Sequence, residues 1–281
     1  MLDRNQNAPR HLDDAAMRWW RWQTRTHSTP WRLAVCGESE GKQVARHSEQ
    51  VGPYMRFAVI VIYPLTSLLF RLRWRHIERI PATGPAIIAV NHISYADPLL
   101  FGRFIWDAGR VPRYLAKASL FKLPFPFGRI VRGAGQIPVY RGTADAAQAL
   151  QGAVAALRRG EMVLIYPEGT VTRDPDFWPM QAKTGVARLA LLAPGVPVIP
   201  VGQWGPQNFL DFYRRRFRPL PRTTVSVSVG EPVDLSEYAG REPTGLLLHE
   251  MTDRIMTAIR AEVAELRGEP APAGFYQWPA G

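Results

Sequence analysis

The strongest constraint on folding in this sequence is a repeated change of hydrophobic period. Ala86–Val90 is a short apolar run after the turn Pro81-Ala82-Thr83-Gly84-Pro85, and Met162–Tyr166 is a second such run. Apolar runs of this length between turn residues read as strands buried on both faces. Between them the period becomes helical: Thr143–Arg159 carries Ala146, Leu150, Val154 and Leu157, with Thr143 placed to cap it and Gly160 to stop it. Val186–Leu192 reads as a helix, Val196–Val201 as a Pro-containing strand, and Thr223–Val229 alternates like a half-buried strand. Leu248, Met251, Ile255, Ile259 and Leu266 line one face of a last helix. Strands alternating with helices predict an α/β fold, a single domain with helices packed on a mixed, mostly parallel sheet.

An amphipathic membrane-docking segment is expected ahead of that domain. Phe57–Phe70 is uncharged and apolar, interrupted by Pro64 and closed by Arg71, Arg73, Trp74 and Arg75. A spanning helix needs roughly 20 apolar residues, so an interfacial helix with snorkelling arginines fits better. A buried core helix is the competing reading. The organisation expected is an N-terminal extension over 1–54, the docking segment over 55–76, the main domain over 77–268, and a loose Pro-rich tail over 269–281. In the extension, Trp19, Trp20, Trp22 and Trp31 lie among Arg18, Arg21 and Arg25, which suits either a membrane interface or a disordered arm.

The net charge of +11 calls for an anionic partner: nucleic acid, anionic lipid or a phosphorylated small molecule. The single Cys36 excludes an internal disulfide and a cysteine-based metal cluster, and no metal or other cofactor is expected. The first apolar stretch follows fifty mostly polar residues, so no secretory signal is read. The only lysines are Lys42, Lys117, Lys122 and Lys183, and the last three fall within the motif-bearing region. Those positions ask for a point charge rather than a guanidinium fork.

Three segments carry chemistry. Asn91-His92-Ile93-Ser94-Tyr95-Ala96-Asp97 follows a buried strand, where α/β sheets place reactive groups. His92 suits a general base, and a carboxylate on one ring nitrogen would leave the other free to take a proton. Five residues turn a helix roughly 140° past a full turn, so His92 and Asp97 meet only if the chain turns before a helix begins. The same residues also fit an Asp97-Pro98 N-cap beside an ordinary strand-end histidine. In Tyr166-Pro167-Glu168-Gly169-Thr170-Val171-Thr172-Arg173, Gly169 admits backbone N–H groups to an anion, Thr170 and Thr172 add donors, and Arg173 adds a fork. A plain strand-ending turn is the alternative. Gly133–Arg141, with Lys117, Lys122, Arg129 and Arg132 upstream among Phe121, Phe125 and Phe127, suits a phosphate beside an acyl chain, or a solvated basic loop.

Other motifs fail on their details. Gly133-Ala134-Gly135 lacks the third glycine of a dinucleotide fingerprint, and Ala182-Lys183-Thr184 lacks the glycine before the lysine of a phosphate-binding loop. Ser119–Lys122 with Lys183-Thr184-Gly185 mimics two blocks of penicillin-binding serine enzymes, but the middle block is missing. Arg214-Arg215-Arg216-Phe217-Arg218 raises a basic lipid- or nucleic-acid-binding protein without catalysis as the rival class. It has no recognised nucleic-acid module around it and fits anionic headgroups equally well.

Asn-His-Ile-Ser-Tyr-Ala-Asp, Gly-Gln-Ile-Pro-Val-Tyr-Arg, Tyr-Pro-Glu-Gly-Thr and Val-Pro-Val-Ile-Pro-Val, in that order over about Ile77 to Val201, resemble the four blocks of the glycerolipid acyltransferase family, nearest its bacterial 1-acylglycerol-3-phosphate branch. The resemblance implies His92 as base and Asp97 as its orienting partner. It implies that Arg141, Glu168, Gly169 and Thr170 hold an acceptor phosphate, with Lys117 a helper. The implied reaction passes a fatty acyl group from an acyl-CoA or acyl carrier protein thioester to a lysophospholipid hydroxyl, turning 1-acyl-sn-glycerol 3-phosphate into phosphatidic acid. Glycerol 3-phosphate, another lysolipid or a glycolipid are the alternative acceptors. The expected partners are these substrates and an anionic membrane surface, with no nucleic acid. The expected location is the cytoplasmic face of the cell membrane, peripheral or monotopic. Two departures bear on the acceptor. Val171 stands where the family usually has Arg directly after Glu-Gly-Thr, so Arg173 is expected to fold back toward the phosphate. The alternative is that it faces solvent or pairs with Asp174 or Asp176, leaving Arg141 and Lys117 to hold the phosphate. Pro138 replaces an aromatic residue at the second block.

Overall fold

The computed structural model describes residues 49, 51–124, 127–139 and 150–278. A helix α1 (Pro53–Leu69) leads into strand β1 (Phe70–Arg75), followed by β2 (Ala86–Val90), α2 (Asp97–Asp107) and β3 (Leu115–Lys117). Then come α3 (Phe127–Gly133), β4 (Ile137–Val139), α4 (Gln151–Arg158), β5 (Met162–Ile165), α5 (Gly185–Leu192) and β6 (Val198–Trp204). A short α6 (Pro206–Phe209), a hairpin of β7 (Leu210–Asp211) and β8 (Arg216–Phe217), β9 (Thr223–Val229) and α7 (Gly245–Arg267) complete the order.

Five strands form the main sheet in the order β1-β9-β6-β2-β5, parallel except where β6 meets β9. This is the mixed, mostly parallel sheet expected. The period-2 pleat divides the central strands between two cores. Ile87, Val163, Ile165 and Val198 face α4, α5 and α7, while Ile88, Leu164, Ile199 and Val201 face α2. Both faces are covered, so β2 has no polar position: all five of its residues are buried. Burying each of Ile87, Ile88 and Val90 contributes about 1.5–3 kcal/mol. α7 lies directly on β6 because Gly202 has no side chain; a Cβ there would stand 2.8 Å from the Glu262 carbonyl carbon. Thr244 caps α7 through Leu247 N–H, and Gly268 ends it at φ 68°.

Three expectations change. The 55–76 segment divides: only its first part is helical, and Phe70–Arg75 pairs in parallel with β9 as an edge strand of the sheet. Arg71, Arg73 and Arg75 therefore alternate outward from a strand instead of snorkelling from a helix end, with Phe70, Leu72 and Trp74 turned inward. Pro64 sits inside α1 without ending it. The 269–281 tail is not loose through its described part, because Tyr276 bridges Met180 and Phe275 packs on the core. Of the helix expected over 143–159, α4 covers the described part; residues 143–149 lie outside it.

α1 has two apolar faces. Met55, Ala58, Val59 and Ile62 turn toward a cavity, while Phe57, Ile60, Val61, Leu65 and Leu68 point to solvent, with Ile60 and Leu68 each 70% exposed. The solvent set recurs at i, i+3, i+4 and i+8, one stripe of the helix. Arg103 of α2 fastens α1 by donating to the Tyr63 carbonyl at 3.1 Å and to Ser67 Oγ at 2.9 Å. No helix among the described residues is long and apolar enough to cross a membrane.

Candidate active site

The chain leaves β2 at Asn91, whose side chain is fully buried in an exchange of hydrogen bonds with Gln203 of β6. Gln203 N–H donates to Asn91 Oδ1 at 2.8 Å, and Gln203 Nε2 donates to the Asn91 carbonyl at 2.7 Å. This ties the ends of two neighbouring strands and fixes where the next residue, His92, emerges.

His92 Nδ1 lies 2.8 Å from Asp97 Oδ2. The same oxygen accepts from Ile93 N–H at 2.7 Å and Ser94 N–H at 2.9 Å. Asp97 is the first residue of α2, but its side chain makes no capping bond to the helix; it points back at the turn that holds the histidine. The N-cap reading of Asp97 therefore does not describe its contacts. Burial raises the Asp97 pKa, opposed by the His92 bond and the two N–H groups. A carboxylate on Nδ1 keeps the proton there and leaves Nε2 with its lone pair. The imidazole stacks on Tyr166 at 4.2 Å between centroids, and Tyr166 stacks in turn on Tyr114.

The segment after β5 grips His92 by its backbone. Glu168 Oε1 accepts His92 N–H at 2.8 Å, and Thr172 N–H donates to the His92 carbonyl at 2.7 Å. Glu168 Oε2 accepts Met180 N–H at 3.1 Å. Glu168 is thus held by two backbone N–H groups, buried at 2% exposure and outside the cavity lining, where the resemblance implied a phosphate contact. Burial pushes its pKa up to about 8 against the pull of those two N–H groups. Thr172 is occupied as well: its hydroxyl donates to the Trp178 carbonyl at 2.8 Å.

His92 opens on a cavity of about 1000 Å³. Its apolar wall comes from α1, α2 and α3, including Val59, Ile62, Trp106, Ile130 and Val131. Its polar wall carries Lys117 from the end of β3, Gly169 and Thr170 from the loop, Lys183 from just before α5, and Arg188 from within it. Gly169 turns with φ +72°, and a Cβ there would meet Lys183 Cδ at 3.4 Å, so the glycine and the lysine stem share one wall. The structure brings His92, Lys117, Gly169 and Thr170 to one cavity, with Asp97 behind the histidine. It does not bring Arg173, which stacks its guanidinium over Trp278 at 4.1 Å and Tyr213 at 5.2 Å, away from the cavity lining. Arg141 lies outside the described residues. Lys183 and Arg188 were absent from the expected set. The scarcity of lysine had singled out Lys183, but the sequence did not show that it faces Gly169. Pro138 sits in β4, paired in parallel with β3, and does not line the cavity.

Comparison with known proteins gives four findings. A family model described as Acyltransferase matches residues 71–204. The 1-acyl-sn-glycerol-3-phosphate acyltransferase of Salmonella typhimurium is 30% identical over 185 residues, covering 65% of this chain and 71% of that one. Its counterpart in Borreliella burgdorferi is 29% identical over 183 residues, covering 64% and 70%. The crystal structure of the 1-acyl-sn-glycerophosphate (LPA) acyltransferase from Thermotoga maritima superposes with a TM-score of 0.56 at 23% identity, over 77% of this chain and 81% of that one. That likeness is one of fold.

Proposed function

The chain belongs to the acyltransferase family, and from that premise we propose that it moves a fatty acyl group from a thioester to the free hydroxyl of 1-acyl-sn-glycerol 3-phosphate, with His92 as general base. The observation that carries this reading is a histidine–carboxylate pair at 2.8 Å opening on one cavity with an apolar wall and a cationic wall. A lysophosphatidic acid has those two parts, a hydrocarbon chain and a phosphate.

In this mechanism Lys117, Lys183 and Arg188 attract the phosphate, while Gly169 and Thr170 give it close donors. The acyl chain lies along the helices. The acceptor hydroxyl then comes within reach of His92 Nε2, where proximity supplies much of the rate. As oxygen attacks the thioester carbonyl, Nε2 takes its proton, and Asp97 stabilises the imidazolium. When the C–S bond breaks, the imidazolium returns that proton to the leaving thiolate. The donor is an acyl-CoA or acyl carrier protein thioester, and no metal or other cofactor takes part. The exposed stripe of α1 supports a further part of the reading, a peripheral or monotopic protein on the cytoplasmic face of the cell membrane.

Purified protein given acyl-CoA should convert 1-acyl-sn-glycerol 3-phosphate to phosphatidic acid faster than it acylates glycerol 3-phosphate. His92→Ala should lower that rate by about 10²–10⁴-fold with an unchanged circular dichroism spectrum. Near-normal turnover in the folded variant would refute His92 as base, and preference for another acceptor would refute the substrate.

A further inference from the structure

From Phe212 to Arg218 every residue is exposed: Phe212, Tyr213, Arg214, Arg215, Arg216, Phe217 and Arg218. These residues form the turn and second strand of the β7–β8 hairpin, in which Leu210 pairs with Phe217 and Asp211 with Arg216. Phe212 is 56% exposed, Phe217 63% and the nearby Leu220 75%. Arg215, Arg216 and Arg218 make no ion pair among the described residues. Exposed aromatic rings interleaved with arginines that lack an acidic partner are the composition an anionic lipid interface favours.

The hairpin is not a loose appendage. Ser94 Oγ of the catalytic turn donates to the Leu210 carbonyl at 2.8 Å. The Phe212 ring meets Tyr95 edge-on at 4.6 Å, and Tyr95 is both half exposed and part of the cavity lining. Tyr213 Oη donates to the Val171 carbonyl at 3.3 Å, and Arg214 to the Pro175 carbonyl at 2.8 Å. On its other side Phe217 packs on Phe209 and Phe209 on Phe70, the residue that follows α1. Arg222 closes the same junction by donating to the Ser67 and Phe70 carbonyls. The exposed apolar surface is therefore connected by direct contacts from the end of α1, through the hairpin, to the turn between His92 and Asp97.

We propose that the β7–β8 hairpin is a second bilayer-contact element, which seats Phe212, Phe217 and Leu220 in the interface, sets Arg215, Arg216 and Arg218 against anionic phospholipid headgroups, and so holds the Tyr95 mouth of the cavity at the lipid surface. Amphipathic aromatics and arginines are the side chains that interfacial depth favours, and basic residues near an anionic leaflet each add attraction. The inference rests on the reading that the acceptor is a lipid. Charge selects the occupant: the segment Phe212–Arg218 carries four arginines and no acid.

The test is sedimentation of the full chain with phosphatidylcholine vesicles, and with vesicles containing phosphatidylglycerol, at one salt concentration. Each arginine is worth about fivefold in partition at an anionic surface. The combined variant Arg215→Gln, Arg216→Gln, Arg218→Gln should lose roughly 10²-fold on anionic vesicles and little on neutral ones. Phe217→Ser, tested separately in case the triple variant misfolds, should weaken both. Binding is read without turnover, so it stands even if the chain proves to use another acceptor. Turnover adds a second reading: the triple variant should keep its rate on acceptor in detergent micelles and lose it on acceptor in anionic vesicles. Unchanged partition in the folded triple variant would overturn the proposal, as would loss of duplex DNA binding with vesicle binding intact.

Discussion

Replacing Asp97 with Asn tests whether the turn or the charge matters more. Asp97 Oδ2 accepts three donors, from His92 Nδ1 and the Ile93 and Ser94 N–H groups, whereas Oδ1 is buried with no partner among the described residues. An asparagine amide has one oxygen. Both backbone donors require it where Oδ2 now stands, because an NH₂ there would face two N–H groups. The amide nitrogen must then take the Oδ1 position, where burial without an acceptor costs about 1–3 kcal/mol. That cost is offset in part by removing a carboxylate whose burial already raises its pKa. The imidazole keeps its tautomer, and only the charge opposite the developing imidazolium is lost. A charge-assisted bond exceeds a neutral one by about 1–1.5 kcal/mol, so kcat/KM should fall roughly 5- to 12-fold. Asp97→Ala removes the acceptor altogether, frees the ring, and should cost about 10²–10⁴-fold. Steady-state kinetics on the three proteins, with ¹⁵N shifts of the His92 ring to read its tautomer, would check this. If folded Asp97→Asn loses as much as Asp97→Ala, or its ring carries the proton on Nε2, the backbone donors do not orient the amide and the reasoning fails.

Glu168 makes stability depend on pH in a particular direction. Its native pKa of about 8, against an ordinary 4.5, means that the folded state holds an extra proton between those values. Its contribution therefore weakens as pH rises through that window, by up to about 1.4 kcal/mol per pH unit. Glu168→Gln lacks this titration, so urea midpoints should show the variant gaining on the wild type from pH 5 to pH 8; a constant difference would contradict it. Lys183→Ala should lower kcat/KM for the phosphate-bearing acceptor by roughly 10- to 150-fold, equivalent to a lost charged hydrogen bond of about 1.5–3 kcal/mol. Arg173→Ala, whose guanidinium stacks on Trp278, should leave the acceptor KM unchanged, and the opposite ranking would return Arg173 to the phosphate.

What could be read from the sequence was what depends on neighbours along the chain. Ala86–Val90 matched its strand to the residue, and α7 could be read from its stripe, because both patterns are local. His92 and Asp97 were legible as a pair because only five residues separate them. Glu168 misled because its partner is a backbone N–H 76 residues away, and a buried acceptor of N–H groups looks the same in sequence as a ligand in a pocket. β1 misled for a similar reason: alternating arginines mark an edge strand only once β9, far along the chain, is seen beside it. The tail read as loose from its prolines, yet Gln181 N–H donates to the Tyr276 carbonyl at 2.9 Å, a contact that composition cannot announce. Arg173 followed the family pattern by proximity alone, and two nearby aromatic rings hold it elsewhere.

The double grip on the His92 backbone has a geometric consequence. The loop that presents Gly169 and Thr170 also supplies Glu168 Oε1 and Thr172 N–H to the two sides of the His92 peptide. In the mechanism proposed above, the base and the Gly169–Thr170 donors are therefore parts of one jig, joined through a single loop. Such a jig measures a molecule from its phosphate and accepts a hydroxyl at only one reach. An acceptor whose hydroxyl lies one carbon nearer or farther would be bound as firmly and acylated poorly. Positional selectivity along the glycerol backbone would then be set by a few hydrogen bonds inside one turn, independently of the length of the fatty chain.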